Sequence, residues 1–128
     1  MMSNKTPIQT NDAPDAIGPY SQAVITEGVV YTSGQIGLDP ETMTMQDSVE
    51  DQAHQVMQNV KAVLKEAGCD MNDVIKAMIF LKDMDDFHHV NDIYASYFKE
   101  PYPARSAVAV AQLPKDARVE VEVIAKQS

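Results

Sequence analysis

The sequence predicts an α+β fold in which two helices pack on one face of a mixed β-sheet, with elements in the order β-β-α-β-α-β-β. Runs rich in β-branched residues recur at AVIT (23–26), VVYTSGQIGL (29–38), VIKAMIFL (74–81) and within PARSAVAVAQLPKDARVEVEVIA (103–125). Such residues suit a pleated, half-buried surface. Two longer segments between those runs carry apolar residues at helical spacing. Strands interleaved with two helices and closing on two further strands fit one sheet with helices laid against it.

The first two runs meet at Glu27-Gly28, a two-residue turn, and are expected to form a hairpin. At Ser48 the period changes. Ser48 and Asp51 offer a capping pair, and Val49, Ala53, Val56, Val60, Val63, Leu64 and Ala67 follow i, i+3, i+4 spacing until Gly68, a natural stop. The run 74–81 is apolar and short enough for a buried strand. DMDD at 83–86 opens a second helix through Phe87, Val90, Ile93, Tyr94, Tyr97 and Phe98, which Pro101 and Pro103 end.

The last two runs are expected to close as a hairpin across LPKDA at 113–117, with residue 107 opposite residue 120. Alternation would then place Arg105, Ala107, Glu120 and Glu122 on one sheet face. Two helices cover only one face of the sheet, yet AVAVA and VEVEVIA carry apolar or small residues on other positions too. That remaining surface points to burial in an oligomer.

Composition bounds the function. A chain of 128 residues fits a single domain, 1–128, that buries roughly two-thirds of its unfolded surface. A net charge of −9 and the absence of a lysine cluster argue against a nucleic-acid partner, because phosphate binding needs a dense basic patch. No segment approaches the roughly 20 apolar residues that span a bilayer, and no apolar signal segment opens the chain, so a cytoplasmic protein without membrane contact is expected. Cys69 is the single cysteine, which fits a reducing compartment.

Arg105 is the leading candidate residue. Eight of the ten basic residues are lysines, and an arginine between Ala104 and Ser106 at the start of a strand calls for its own explanation. A planar guanidinium binds a carboxylate through two parallel hydrogen bonds. The same group equally serves as a structural partner for a helix carboxylate. Glu120 and Glu122, taken alone, read as solvated strand residues. Glu120 becomes a general base only where apolar surface covers it and raises its pKa.

Other groups carry less. His88 and His89 are adjacent and lack the i, i+4 spacing of a helical metal pair, and His54 lies on the other helix, so no metal is expected. Ser21 and Ser33 lack a nucleophile elbow and triad partners, which leaves hydrogen bonding as their role. SGQIG at 33–37 is not a phosphate loop, but its glycines let backbone approach a ligand closely. Cys69 and the eight scattered methionines read as packing groups.

Four separated blocks, AIGPYSQA (16–23), TSGQIGLDP (32–40), FHHVN ending at Asn91 and the 103–125 stretch, together resemble the Rid (YjgF) family of reactive intermediate deaminases. The resemblance spans nearly the whole chain in order. It implies a chorismate-mutase-like fold, a homotrimer with three active sites between subunits, and no cofactor or metal. The implied reaction is hydrolysis of 2-iminopropanoate and 2-iminobutanoate, tautomers of enamines released by pyridoxal-phosphate dehydratases, to 2-oxo acids and ammonia.

Carried over by position, Arg105 would bind the substrate carboxylate and Glu120 would orient or activate water. Tyr20 would line the pocket, Gly34 would admit the ligand to the backbone, and Ser33 and Asn91 would add polar contacts. The chain departs at Ala107, where many relatives carry cysteine; its backbone carbonyl remains available to the imine nitrogen. Three other readings stand beside this one. Chorismate mutase chemistry normally asks for several cations, and Arg118 is the only other arginine. A noncatalytic carboxylate binder or stress chaperone would use Arg105 alone. Ribonuclease activity conflicts with the acidic charge.

Overall fold

The computed structural model describes residues 4–128. Six strands, Thr6–Ile8 (β1), Ala23–Thr26 (β2), Val29–Thr32 (β3), Val74–Leu81 (β4), Ala104–Ala109 (β5) and Val119–Lys126 (β6), form one sheet in the order β1-β2-β3-β6-β4-β5. Two helices, Val49–Glu66 (α1) and Phe87–Ala95 (α2), pack on one face of it. The β1 strand lies in a polar stretch that offered no strand pattern; it adds to the sheet edge by antiparallel pairing with β2.

Local chemistry sets the element ends. Glu27 (φ 51°) and Gly28 (φ 78°) take the left-handed conformations of a two-residue hairpin turn, and Thr26 pairs with Val29 across it. The Ser48 hydroxyl accepts from the Asp51 N–H at 3.1 Å, starting α1 as expected. Gly68 (φ 79°) ends it, with Gly68 N–H bonding Lys65 O and Cys69 N–H bonding Leu64 O, the paired closure of a Schellman motif. α2 ends at Ala95, earlier than its apolar spacing suggests, because the N–H groups of Ser96, Tyr97 and Phe98 bond three residues back. That tightening still leaves Phe98 packed on Tyr94, ring centroids 4.6 Å apart.

The expected closing hairpin does not form. β5 runs parallel to β4, and β6 lies on the other side of β4, antiparallel to both β4 and β3. A parallel neighbour needs a crossover connection, which α2 supplies between β4 and β5. The chain then turns past the end of β4: Val110 N–H bonds Leu81 O, and Lys82 N–H bonds Arg118 O. Burial explains the placement. Val119, Val121, Val123 and Ala125 are almost completely buried, so β6 takes a central position. β5, with Arg105 and Ser106 exposed, takes the edge.

The expected shared face is therefore corrected as well. Through β4, Arg105 aligns with Ala77 and Val123, and Ala107 with Ile79 and Val121, all on the helix-covered face. Glu120 aligns with Phe80 and Val108, and Glu122 with Met78 and Ser106, on the opposite face. Arg105 and Glu120 stand three rows and two strands apart, which is about 10 Å along and about 10 Å across the sheet. They also project to opposite sides.

Between the helices and the sheet lies the core. Val56, Val60, Val63 and Leu64 of α1 meet Ile79 and Leu81 of β4 and Val121 of β6, all fully buried or nearly so. Each such side chain contributes about 1.5–3 kcal/mol by leaving water. The second arginine is committed to this frame. Arg118 pairs with Asp86 at 3.0 Å, and its backbone N–H bonds Gln52 Oε1 at 2.8 Å, joining α1, the start of α2 and β6. The sheet face without helices keeps Tyr31 and Val108 exposed and Met78, Phe80 and Ile124 half-buried.

Candidate active site

Glu120 owes its surroundings to an interruption in the β3–β6 ladder. Thr32 Oγ1 accepts from Val123 N–H at 2.9 Å and lies 3.3 Å from Val123 O, so a side chain replaces the backbone pairing there. Ser33 and Gly34 lift away, and Gln35 rejoins β6 through reciprocal bonds with Val121 at 2.9 and 3.1 Å. The lifted Gly34 passes directly beside Glu120. A Cβ at position 34 would collide with the Glu120 carboxylate, so the glycine makes room for the acid rather than for a turn.

The segment before β2 is fastened to the same place. Ser33 Oγ donates to Ser21 O at 2.6 Å and Ser33 N–H to Gln22 O at 2.9 Å. Gln22, buried, donates through Nε2 to Thr10 O and Pro14 O at 3.0 and 2.8 Å and accepts from Thr10 N–H at 2.7 Å. These bonds hold the loop that carries Tyr20, a residue that is 54% exposed. Tyr20, Gln22, Gly34, Gln35, Met43 and Glu120 line a cavity of about 320 Å³. Burial first, and Glu122 second, raise the Glu120 pKa above the ordinary glutamate value. A partly desolvated carboxylate beside an apolar wall is a stronger proton acceptor than a solvated one.

Gly34→Ala is a clean probe of this arrangement. The atom displaced is the end of a flexible side chain, so the fold survives while Glu120 swings out of place. The melting temperature should stay within a few degrees of wild type, and any activity that passes through Glu120 should fall by about a hundredfold, the scale of a lost acid–base group. Wild-type activity in the alanine variant would show that the position of Glu120 is unimportant.

Arg105 builds a second cavity, about 390 Å³, with Asn91, Tyr94, Ala95, Tyr102 and Pro103. Its Nη1 donates to Asn91 Oδ1 at 2.6 Å. The guanidinium carbon lies 5.3 Å from the Phe87 ring centroid and 5.0 Å from that of Tyr94. Among the described residues Arg105 makes no ion pair. Its polar partner is a neutral amide, so the helix carboxylate of the structural alternative is absent and the positive charge is left uncompensated. Ala107, beside it on β5, packs its methyl against the core.

The structure thus gathers Tyr20, Ser33, Gly34 and Glu120 in one place and Asn91, Arg105 and Ala107 in another. The role of Asn91 toward Arg105, and the contributions of Phe87, Tyr94 and Gln22, were missed. Phe87, Asn91 and Tyr94 share a face at i, i+4 and i+7, a readable signal, but the strand they face follows from the parallel crossover.

The remaining candidates lie apart. His88 and His89 pack ring on ring at 3.9 Å, His89 approaches Glu50 at 3.8 Å, and His54 meets Tyr97 Oη at 3.3 Å. Among the described residues no three His, Cys, Asp or Glu side chains come together as a metal site would require. Cys69 is buried, and burial, then Asp73 and Asp70, raise its thiol pKa. No helix among the described residues is long and apolar enough to cross a membrane.

A mixed sheet with two helices on one face, a glutamate of raised pKa facing one cavity and an arginine without an ion pair among the described residues facing another define a small α+β domain with two candidate binding regions. The chain belongs to the Rid (YjgF) family: the family model described as Endoribonuclease L-PSP matches residues 10–127. A RutC family protein of Synechocystis is 54% identical over 121 residues, covering 92% of this chain and 93% of that protein. The human 2-iminobutanoate/2-iminopropanoate deaminase is 48% identical over 121 residues, covering 94% of this chain and 88% of its own. The crystal structure of E. coli TdcF with bound serine matches with a TM-score of 0.92 and 44% identity, covering 96% of this chain and 99% of that one.

Proposed function

We propose that the chain hydrolyses 2-iminopropanoate and 2-iminobutanoate to 2-oxo acids and ammonia, at sites completed between copies of itself in a homotrimer. The observation that carries this reading is the pairing of an arginine without a counter-charge and a partly desolvated glutamate on opposite faces of one sheet. One chain cannot bring both to a molecule of six or seven heavy atoms. A second copy, covering the open sheet face with its apolar Tyr31, Met78, Phe80, Val108 and Ile124, brings one chain's Arg105 to its neighbour's Glu120. The names of relatives at about half identity and the serine bound to TdcF support a small amino-acid-derived carboxylate as ligand.

The chemistry asks little more. Arg105 holds the carboxylate with its free N–H groups and places the iminium carbon against a water at Glu120. As the water oxygen bonds to that carbon, Glu120 takes its proton and then returns it to the nitrogen. The C–N bond breaks, ammonia leaves, and the hydroxyl proton is lost as the carbonyl forms. Tyr20 closes one wall, and Ser33 acts through its hold on the Ser21–Gln22 backbone.

The test supplies 2-aminoacrylate from a serine dehydratase and follows ammonia release with and without the protein; no acceleration leaves the noncatalytic carboxylate binder as the better reading. Mixing Arg105→Ala and Glu120→Gln chains, each inactive, in equal amounts should restore about a quarter of the sites if each site draws one residue from each of two neighbours. Absence of restoration in confirmed mixed trimers would count against the shared site. The ribonuclease suggested by the family description sits poorly with a net charge of −9.

A further inference from the structure

We infer that Phe87 and Tyr94 of α2 are positioning residues for Arg105, fixing its guanidinium before any ligand arrives; this rests on the reading of Arg105 as the carboxylate anchor. An arginine on an exposed edge strand samples many rotamers, and ordering it on binding weakens affinity. Here the ordering is already done. Asn91 holds Nη1 at 2.6 Å, while the rings of Phe87 and Tyr94 lie 5.3 and 5.0 Å from the guanidinium carbon, within cation–π range.

All three residues project from one face of α2, and the helix start is itself held: Asp86, just before Phe87, pairs with Arg118 at 3.0 Å. A lysine would be a poor substitute in this setting, because its ammonium lacks the flat surface that stacks on a ring. The bracket therefore fixes which way the remaining N–H groups of Arg105 face, toward the cavity shared with Tyr102 and Pro103.

Tyr94 acts through its ring. The residue is 4% exposed, and among the described residues its buried hydroxyl has no hydrogen-bond partner, so the oxygen takes no part in holding Arg105. The aromatic surface is what remains to be used.

The experiment compares Tyr94→Leu, Phe87→Leu and Tyr94→Phe in steady-state imine hydrolysis and in calorimetric titration with 2-oxobutanoate, a stable 2-oxo acid. The two leucine variants should raise KM and weaken 2-oxobutanoate binding about fivefold, the scale of one cation–π contact, with kcat changed less than twofold. Tyr94→Phe should recover wild-type affinity and melt at a higher temperature, since an unpartnered buried hydroxyl is removed. In an Arg105→Lys background, which keeps measurable turnover but lacks the flat guanidinium, the leucine replacements should cost little further.

Equal losses in kcat, additive losses in the Arg105→Lys background, or a phenylalanine variant as weak as leucine would overturn the inference. If Tyr94→Leu does not fold, Phe87→Leu, at a half-buried site, carries the test. A wild-type protein that binds 2-oxobutanoate through Arg105 but hydrolyses no imine would end the deaminase reading and leave this inference standing.

Discussion

Arg105→Lys should lower kcat/KM for 2-iminopropanoate by about a hundredfold, with the fold and assembly unchanged. Bidentate, charge-assisted hydrogen bonds to a carboxylate contribute about 1.5–3 kcal/mol. Stacking of the guanidinium on Phe87 and Tyr94 adds up to about 2 kcal/mol, and lysine keeps neither in full. A hundredfold loss corresponds to about 2.7 kcal/mol, within that range. The fold should be indifferent, because Arg105 makes no ion pair among the described residues and an ammonium can still donate to Asn91. Circular dichroism, light scattering and coupled kinetics on the purified variant check all parts, and near-normal turnover would remove the carboxylate-anchor role.

Glu120→Gln should abolish most activity, by about a hundredfold or more, and stabilise the protein at neutral pH. The two effects share one cause. Burial raises the pKa of Glu120 in the folded state above its unfolded value, so the folded chain binds that proton more tightly. Its contribution to stability is present below the unfolded pKa and is lost as pH rises through the folded one. At neutral pH the ionised carboxylate therefore opposes folding, and a neutral amide of the same shape does not. Thermal melts across the carboxylate range should show wild type losing stability with rising pH relative to the variant. In wild type, kcat/KM should fall on acidification at a pH above the ordinary glutamate value, where Glu120 takes up its proton. A variant melting below wild type at neutral pH would contradict this account.

Much of the architecture was legible because the relevant signals are local. Ser48 with Asp51, Gly68, the Glu27-Gly28 turn and the apolar run 74–81 each act within a few residues, and each element lies where those signals place it. Strand order was not legible. Whether β5 pairs with β6 or with β4 depends on competition for the sheet centre, which the buried valines of β6 win and the Arg105-bearing β5 loses. That single misplacement put Arg105 and Glu120 on one face, and it concealed the bracket from α2. Gly34 shows a related limit. A glycine in SGQIG announces close approach of something, but only the interrupted ladder at Thr32 reveals that the approaching group is the chain's own Glu120.

The lodging of the two charged groups in different parts of the sheet bears on how this protein can change over generations. Glu120 stands on a central strand whose alternate residues are locked in the core, so its surroundings drift only at the expense of folding. Arg105 lies on an edge strand, and Tyr102 and Pro103 just before that strand can be exchanged without disturbing buried packing. The surroundings of Arg105 can thus be retuned while Glu120 and its strand stay fixed.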